Sequence, residues 1–121
     1  MMDYKLPYYD WNMASVLMNE VGKKLQAEHG DDPLTKGEIE SEIVSYGIYQ
    51  PQSLFPSDYC YNLINRGNVS FRFPLFIRLK RGLYIHVGPY FPYTGPIKWK
   101  GEIVGEWRNG EYILWKDPRK S

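Results

Sequence analysis

Between residues 12 and 30 the apolar positions recur at helical spacing. Ala14, Leu17, Met18, Val21 and Leu25 form one stripe, with Asn19, Glu20, Lys23, Lys24 and Gln26 largely outside it. Asp10 or Asn12 can cap its start and Gly30 stops it, so the pattern predicts a first helix. Thr35 followed by Glu38 is a capping box, which predicts a second helix over 36–46 with Ile39, Ile43 and Tyr46 inward and Glu40 and Glu42 outward. The stretch 53–67 begins with a serine cap, has Pro56 in its first turn and ends on Gly67, and so predicts a third helix over 54–66. At 100° per residue Leu54, Ser57, Cys60, Tyr61 and Ile64 share its packing side, while Phe55, Tyr59, Asn62 and Arg66 share the other.

Beyond residue 72 the pattern suits strands. Apolar, β-branched and aromatic runs at 75–80 and 83–88 flank Arg81-Gly82, which predicts a β-hairpin with Arg78, Lys80 and Arg81 at its tip. The run 88–96, G-P-Y-F-P-Y-T-G-P, cannot form a central strand. It reads as a strap of rings over the core edge in preference to a base-stacking platform. Asn109-Gly110 between 103–107 and 111–115 predicts a second hairpin in which Trp107 faces Tyr112 and Val104 faces Trp115.

Two helices joined by a short turn, the second presenting an aromatic, amide and guanidinium face, followed by a basic-tipped hairpin, specify an α+β winged helix-turn-helix. It has three helices and a β-hairpin wing, extended by a C-terminal β-hairpin. One domain is expected over 1–121, with an aromatic arm at 1–11, a trihelical part at 12–66, the wing at 73–88 and C-terminal strands at 97–115.

Charge sharpens this picture. The formal net charge is +1, yet residues 1–58 carry −6, residues 59–101 carry +7 with no acid among them, and residues 102–121 are neutral. Such polarity points to a polyanionic partner for the middle segment, or alternatively to a basic half packed beside an acidic one. Aromatic content of 17% supplies rings for a core in a chain this short. A single cysteine excludes an internal disulfide and CxxC metal sites and fits a reducing, cytoplasmic setting. No apolar run approaches a membrane span, and the first residues lack the order of a secretion signal.

Catalytic chemistry finds little purchase. The two histidines lie 57 residues apart and no acid stands between Tyr59 and Gly101, which argues against an HNH-type or zinc site. Gly47-Ile48-Tyr49 matches half of a GIY-YIG signature without its partner. Cys60 and His86 could be imagined as nucleophile and base, but Cys60 falls on the packing side. No cofactor, metal, membrane or small-molecule substrate is expected, and the chain reads as a non-enzyme.

The leading expectation is duplex DNA binding. Asn62 would pair with adenine and Arg66 with guanine, each worth ~1–3 kcal/mol of discrimination. Phe55 and Tyr59 would touch a thymine methyl or a methylated base, and Arg72, Arg78, Lys80 and Arg81 would hold phosphates. Asp58, beside that face, is the awkward residue. The alternative is a protein-interaction module docking on a nuclease, polymerase or defence complex through Phe55, Tyr59 and the Trp-bearing hairpin.

The string 53–62, S-L-F-P-S-D-Y-C-Y-N, with Asn65-Arg66-Gly67 and Tyr93-Thr94-Gly95-Pro96, resembles a bacterial and phage family of winged-helix modules with a P-S-D-Y-C-Y-N signature. Its members are stand-alone or attached to restriction-type nuclease domains. The likeness covers residues 34–96 and implies a winged-helix fold and a link to DNA transactions, with no catalytic residues to carry over.

Overall fold

The computed structural model describes residues 3–65 and 73–116. Helix α1 (Met13–His29) starts at Asn12, whose side chain accepts from the Ser15 amide while Ser15 Oγ accepts from the Asn12 amide, each at 2.9 Å. It buries Leu17, Met18, Val21 and Leu25, the stripe that the 3.6-residue period marks. Strand β1 (Leu34–Thr35) runs directly into α2 (Lys36–Ser45). Thr35 and Glu38 form the capping box that the sequence predicts.

Strand β2 (Phe76–Lys80) and strand β3 (Leu83–His86) form the first hairpin, with a register shift between Arg78 and Lys80. Strand β1 pairs with the far side of β3, so the first sheet has the order β1-β3-β2. Helix α1 packs on this sheet across Gly22. A Cβ there would fall 2.4 Å from the His86 ring and 2.8 Å from the Phe76 ring, so only glycine allows the approach.

The second sheet is antiparallel with the order β4-β5-β6: β4 (Gly95–Trp99), β5 (Glu102–Arg108) and β6 (Glu111–Leu114). Asn109 (φ 50°) and Gly110 (φ 86°) make the tight turn, Trp107 lies opposite Tyr112, and the Trp115 amide donates to the Val104 carbonyl at 3.0 Å. The N-terminal arm covers the outer edge of β6 by a two-way backbone pairing of Lys5 with Tyr112. Tyr9 from the same arm is buried in the first core.

The fold is not the expected winged helix-turn-helix. Among the described residues there are two α-helices and two separate three-stranded sheets, and the described part of the expected third helix, 54–65, is not an α-helix. Pro56–Tyr59 make a single 3₁₀ turn, after which the chain is extended. Backbone bonds explain why. Leu75 N donates to Tyr59 O and Tyr61 N to Phe76 O, both at 2.8 Å, on the side of β2; Lys98 N donates to Asn62 O at 3.1 Å and Ile64 N to Lys98 O at 2.9 Å, on the side of β4. The segment pairs in parallel with one sheet at Cys60 and with the other at Leu63, and so seams the two together. Hydrogen bonds from this segment to each of the two sheets have replaced the intrahelical ones.

Two cores lie either side of this seam. The first gathers the α1 stripe, Leu34, Ile39, Ile43, Leu75 and Phe76 together with Cys60. The second comprises Tyr61, Ile64, Ile97, Val104 and Trp107, and is pinned by the Trp107 indole N–H donating to the Tyr61 carbonyl at 2.7 Å. Cys60 and Tyr61, adjacent in sequence, thus anchor different cores, as successive residues of an extended chain can.

Candidate functional site

The seam also sets the position of the charged groups. Asn62 holds the backbone of β2 with both ends of its carboxamide: Nδ2 donates to Arg78 O at 2.7 Å and Oδ1 accepts from Arg78 N at 2.9 Å. The backbone of the same residue and of Ile64 holds Lys98 on β4. Arg78 and Lys98, on different sheets, are therefore indexed to one short segment. Between them opens a cleft of about 510 Å³ lined by Asn62, Arg78, Leu79, Lys80, Tyr93 and Lys98, among others, with no carboxylate among the described residues of its wall.

Lys80 and Lys98 bring two cations to this concavity and raise the positive potential there, while Arg78, across from Tyr84 on β3, lies close enough to Tyr84 and Cys60 for its charge to act on both. Four of the acidic residues are engaged elsewhere. Lys24 pairs with Glu42 at 2.8 Å and His29 with Glu38 at 2.5 Å within the first 58 residues, and Arg108 pairs with Glu106 and Lys116 with Glu102 near the C-terminus. Among the described residues none forms an ion pair with Arg78, Lys80 or Lys98.

The residues singled out from the sequence are dispersed by the loss of the third helix. Phe55 precedes the 3₁₀ turn, half-buried, with Lys36 Nζ 5.5 Å from its ring centre. Tyr59 is half-buried on the first core and its ring centre lies 6.4 Å from that of Phe73. Asn62 faces the Arg78 backbone, so the geometry that was to present it to a base edge is gone with the helix. Arg78 and Lys80 line the cleft, and Arg81 stands exposed at the hairpin turn. Arg66 and Arg72 lie outside the described residues. Asp58 is buried and accepts from Asn65 Nδ2 at 2.9 Å, which removes it from any reading face.

Sequence reasoning counted Lys98 in the basic stretch without assigning it a role, and gave Tyr93 to a covering strap. The signal for Lys98 was its exposure between buried Ile97 and half-buried Trp99, the alternation of a strand with one wet face.

The imagined Cys60–His86 pair is not assembled as a dyad. Cys60 Sγ is directed to Pro56 O at 3.4 Å, and burial pushes its thiol well above the usual range. His86 Nε2 bonds Asn19 Oδ1 at 2.8 Å, and burial, assisted by Lys23, lowers its pKa to about 4. Among the described residues no three His, Cys, Asp or Glu side chains are grouped to hold a metal ion, and no helix is long and apolar enough to cross a membrane.

The chain belongs to the family described as Domain of unknown function (DUF7225), whose model matches residues 9–114. It is similar to the "Uncharacterized protein YnaC" of Bacillus subtilis (strain 168), with 48% identity over 71 residues, covering 54% of this chain and 26% of the relative. The chain thus spans about a quarter of the length of the curated relative it matches. No solved structure matches.

Proposed function

We propose that the protein binds nucleic acid, DNA in the first instance, in the cytoplasm and performs no chemistry on it. The observation that carries this reading is that Lys80 and Lys98, from two sheets, line one cleft with no carboxylate among the described residues of its wall. Arg81 at the adjacent hairpin turn extends the basic surface. Contacts of this kind engage phosphates, which position a protein on nucleic acid and give affinity that falls with salt. The single buried thiol of Cys60 fits a reducing compartment.

The test is a salt titration of binding to a mixed-sequence duplex and to its separated strands. Log affinity is expected to fall linearly with log salt, and Lys80→Glu with Lys98→Glu is expected to abolish binding. A flat salt dependence, or undiminished binding by the double variant, would overturn the reading. Nucleic acid incubated with the protein and divalent cations is expected to be recovered intact, and cleavage would remove the non-enzymatic part of the proposal.

Docking on a protein partner is the second reading. It is favoured by Ile103 and Trp115, 53% and 49% exposed, which stand along a groove of about 380 Å³ on the second sheet. One stoichiometric partner in a pull-down, with purified protein that ignores nucleic acid, would select it.

A further inference from the structure

We infer that the occupant of the cleft is an unpaired strand, DNA or RNA, with a base stacked on Tyr93; this rests on the reading that the cleft binds nucleic acid. Tyr93 is held in place before any ligand arrives. Its ring lies across Gly95 so closely that a Cβ there would fall 2.4 Å from the phenolic oxygen. The Tyr93 hydroxyl donates to Pro96 O at 3.4 Å, and its ring packs on Tyr61 with centres 5.9 Å apart. Its backbone is fixed too, the Tyr93 amide donating to Phe91 O at 2.8 Å and its carbonyl accepting from Gly110 N at 3.1 Å. A ring already ordered loses little freedom when a ligand binds.

The other walls match the parts of a nucleotide. Lys80 and Lys98 offer charge for phosphates, and Leu79, 55% exposed, adds an apolar surface to the same cleft. No carboxamide remains for a base edge, because both ends of Asn62 are engaged by the Arg78 backbone. A site with stacking and charge but without base-edge partners takes any base, which is how sequence-tolerant single-strand binders work. The size agrees. About 510 Å³ is within the range of ~300–1,000 Å³ that encloses small ligands. A paired duplex keeps its base faces stacked inside and would bring only phosphates to the cleft.

Fluorescence anisotropy with the full chain tests this on four probes of one length: a mixed-sequence DNA strand, its RNA counterpart, the same DNA strand made abasic, and the blunt duplex. An intact strand is expected to bind about tenfold or more tighter than the abasic strand, and tighter than the duplex. Whichever of the DNA and RNA strands binds names the source of the ligand. Tyr93→Leu is expected to lower the intact strand to the abasic level and to leave abasic binding unchanged, while Tyr93→Phe behaves as wild type. The abasic comparison needs no variant, so it stands even if Tyr93→Leu fails to fold. Equal affinity for intact and abasic strands, or a duplex that binds more tightly, would overturn the inference; if Lys80→Glu with Lys98→Glu still abolished binding in that case, the nucleic-acid reading would survive it. Absence of binding to all four probes at low salt would sink both.

Discussion

Asn62 shows how one side chain can replace a missing strand. Its carboxamide presents a donor and an acceptor to the Arg78 N–H and C=O as a neighbouring peptide would. Asn62→Ala leaves both backbone groups without those partners and is expected to cost roughly 1–3 kcal/mol in denaturant unfolding, with the double-charge variant of Lys80 and Lys98 unaffected at this level. The two histidines predict opposite responses to pH. His86 is held neutral by burial at a pKa of about 4, whereas an unfolded histidine titrates near ~6.5. The unfolded chain therefore takes up a proton first, and the contribution of His86 to stability is lost as pH falls from about 6.5 toward 4; His86→Gln is expected to flatten that part of the stability profile. His29 is the reverse case. Its hydrogen bond to Glu38, then that to Leu25 O, raises its pKa, so its contribution is present at lower pH and is lost as pH rises through the raised value. Glu38, lowered by its Thr35 and His29 bonds, loses its own contribution at the acid end. The pair is thus at full strength between those two limits, and His29→Ala is expected to lower the melting temperature most in that window.

At the level of elements, α1 and α2 were legible because cap chemistry and apolar period agree there, and both hairpins because turn residues and strand composition agree. The stretch 54–66 was misread for a physical reason. Of its packing set Cys60, Tyr61 and Ile64 are buried while Leu54 and Ser57 are half-buried, and an extended chain that touches two cores buries those three as one helical face would. The contrary signal was present in the residues themselves: Tyr59, Cys60, Tyr61, Asn62 and Asn65 all have weak helix propensity, and Pro56 permits a first turn without requiring a second. What no local reading could supply is that the partners of 59–64 lie at 75–76 and at 98. The site follows the same division. Its cations were visible as an acid-free stretch, whereas the meeting of Arg78 with Lys98 depends on that long-range pairing. The contact of α1 with the first sheet gives a sharp test. Gly22→Ala improves intrinsic helix propensity by about 1 kcal/mol, yet the new Cβ would stand 2.4 Å from the His86 ring. Overpacking is expected to win, with a net loss of roughly 1–2 kcal/mol in chemical denaturation; a net gain would mean the helix can retreat from the sheet at little cost.

Across the whole molecule, the ion pairs seen among the described residues join partners within the acidic first half or within the C-terminal part. Lys24 and Glu42, and His29 and Glu38, pair within the helical half, while the second sheet closes Arg108 on Glu106 and Lys116 on Glu102. Lys80 and Lys98, on different sheets, line a space with no carboxylate among its described residues. A near-neutral chain thereby offers a phosphate backbone a local positive field that its net charge of +1 conceals. The measurement closest to this claim is the slope of log affinity against log salt for a mixed-sequence single strand, with wild type and with Lys80→Glu, Lys98→Glu. With Lys80, Arg81 and Lys98 on phosphates, the slope for wild type is expected to be about −2, and the double variant is expected to lose binding. A slope of zero, or a variant that binds as wild type does, would contradict the account.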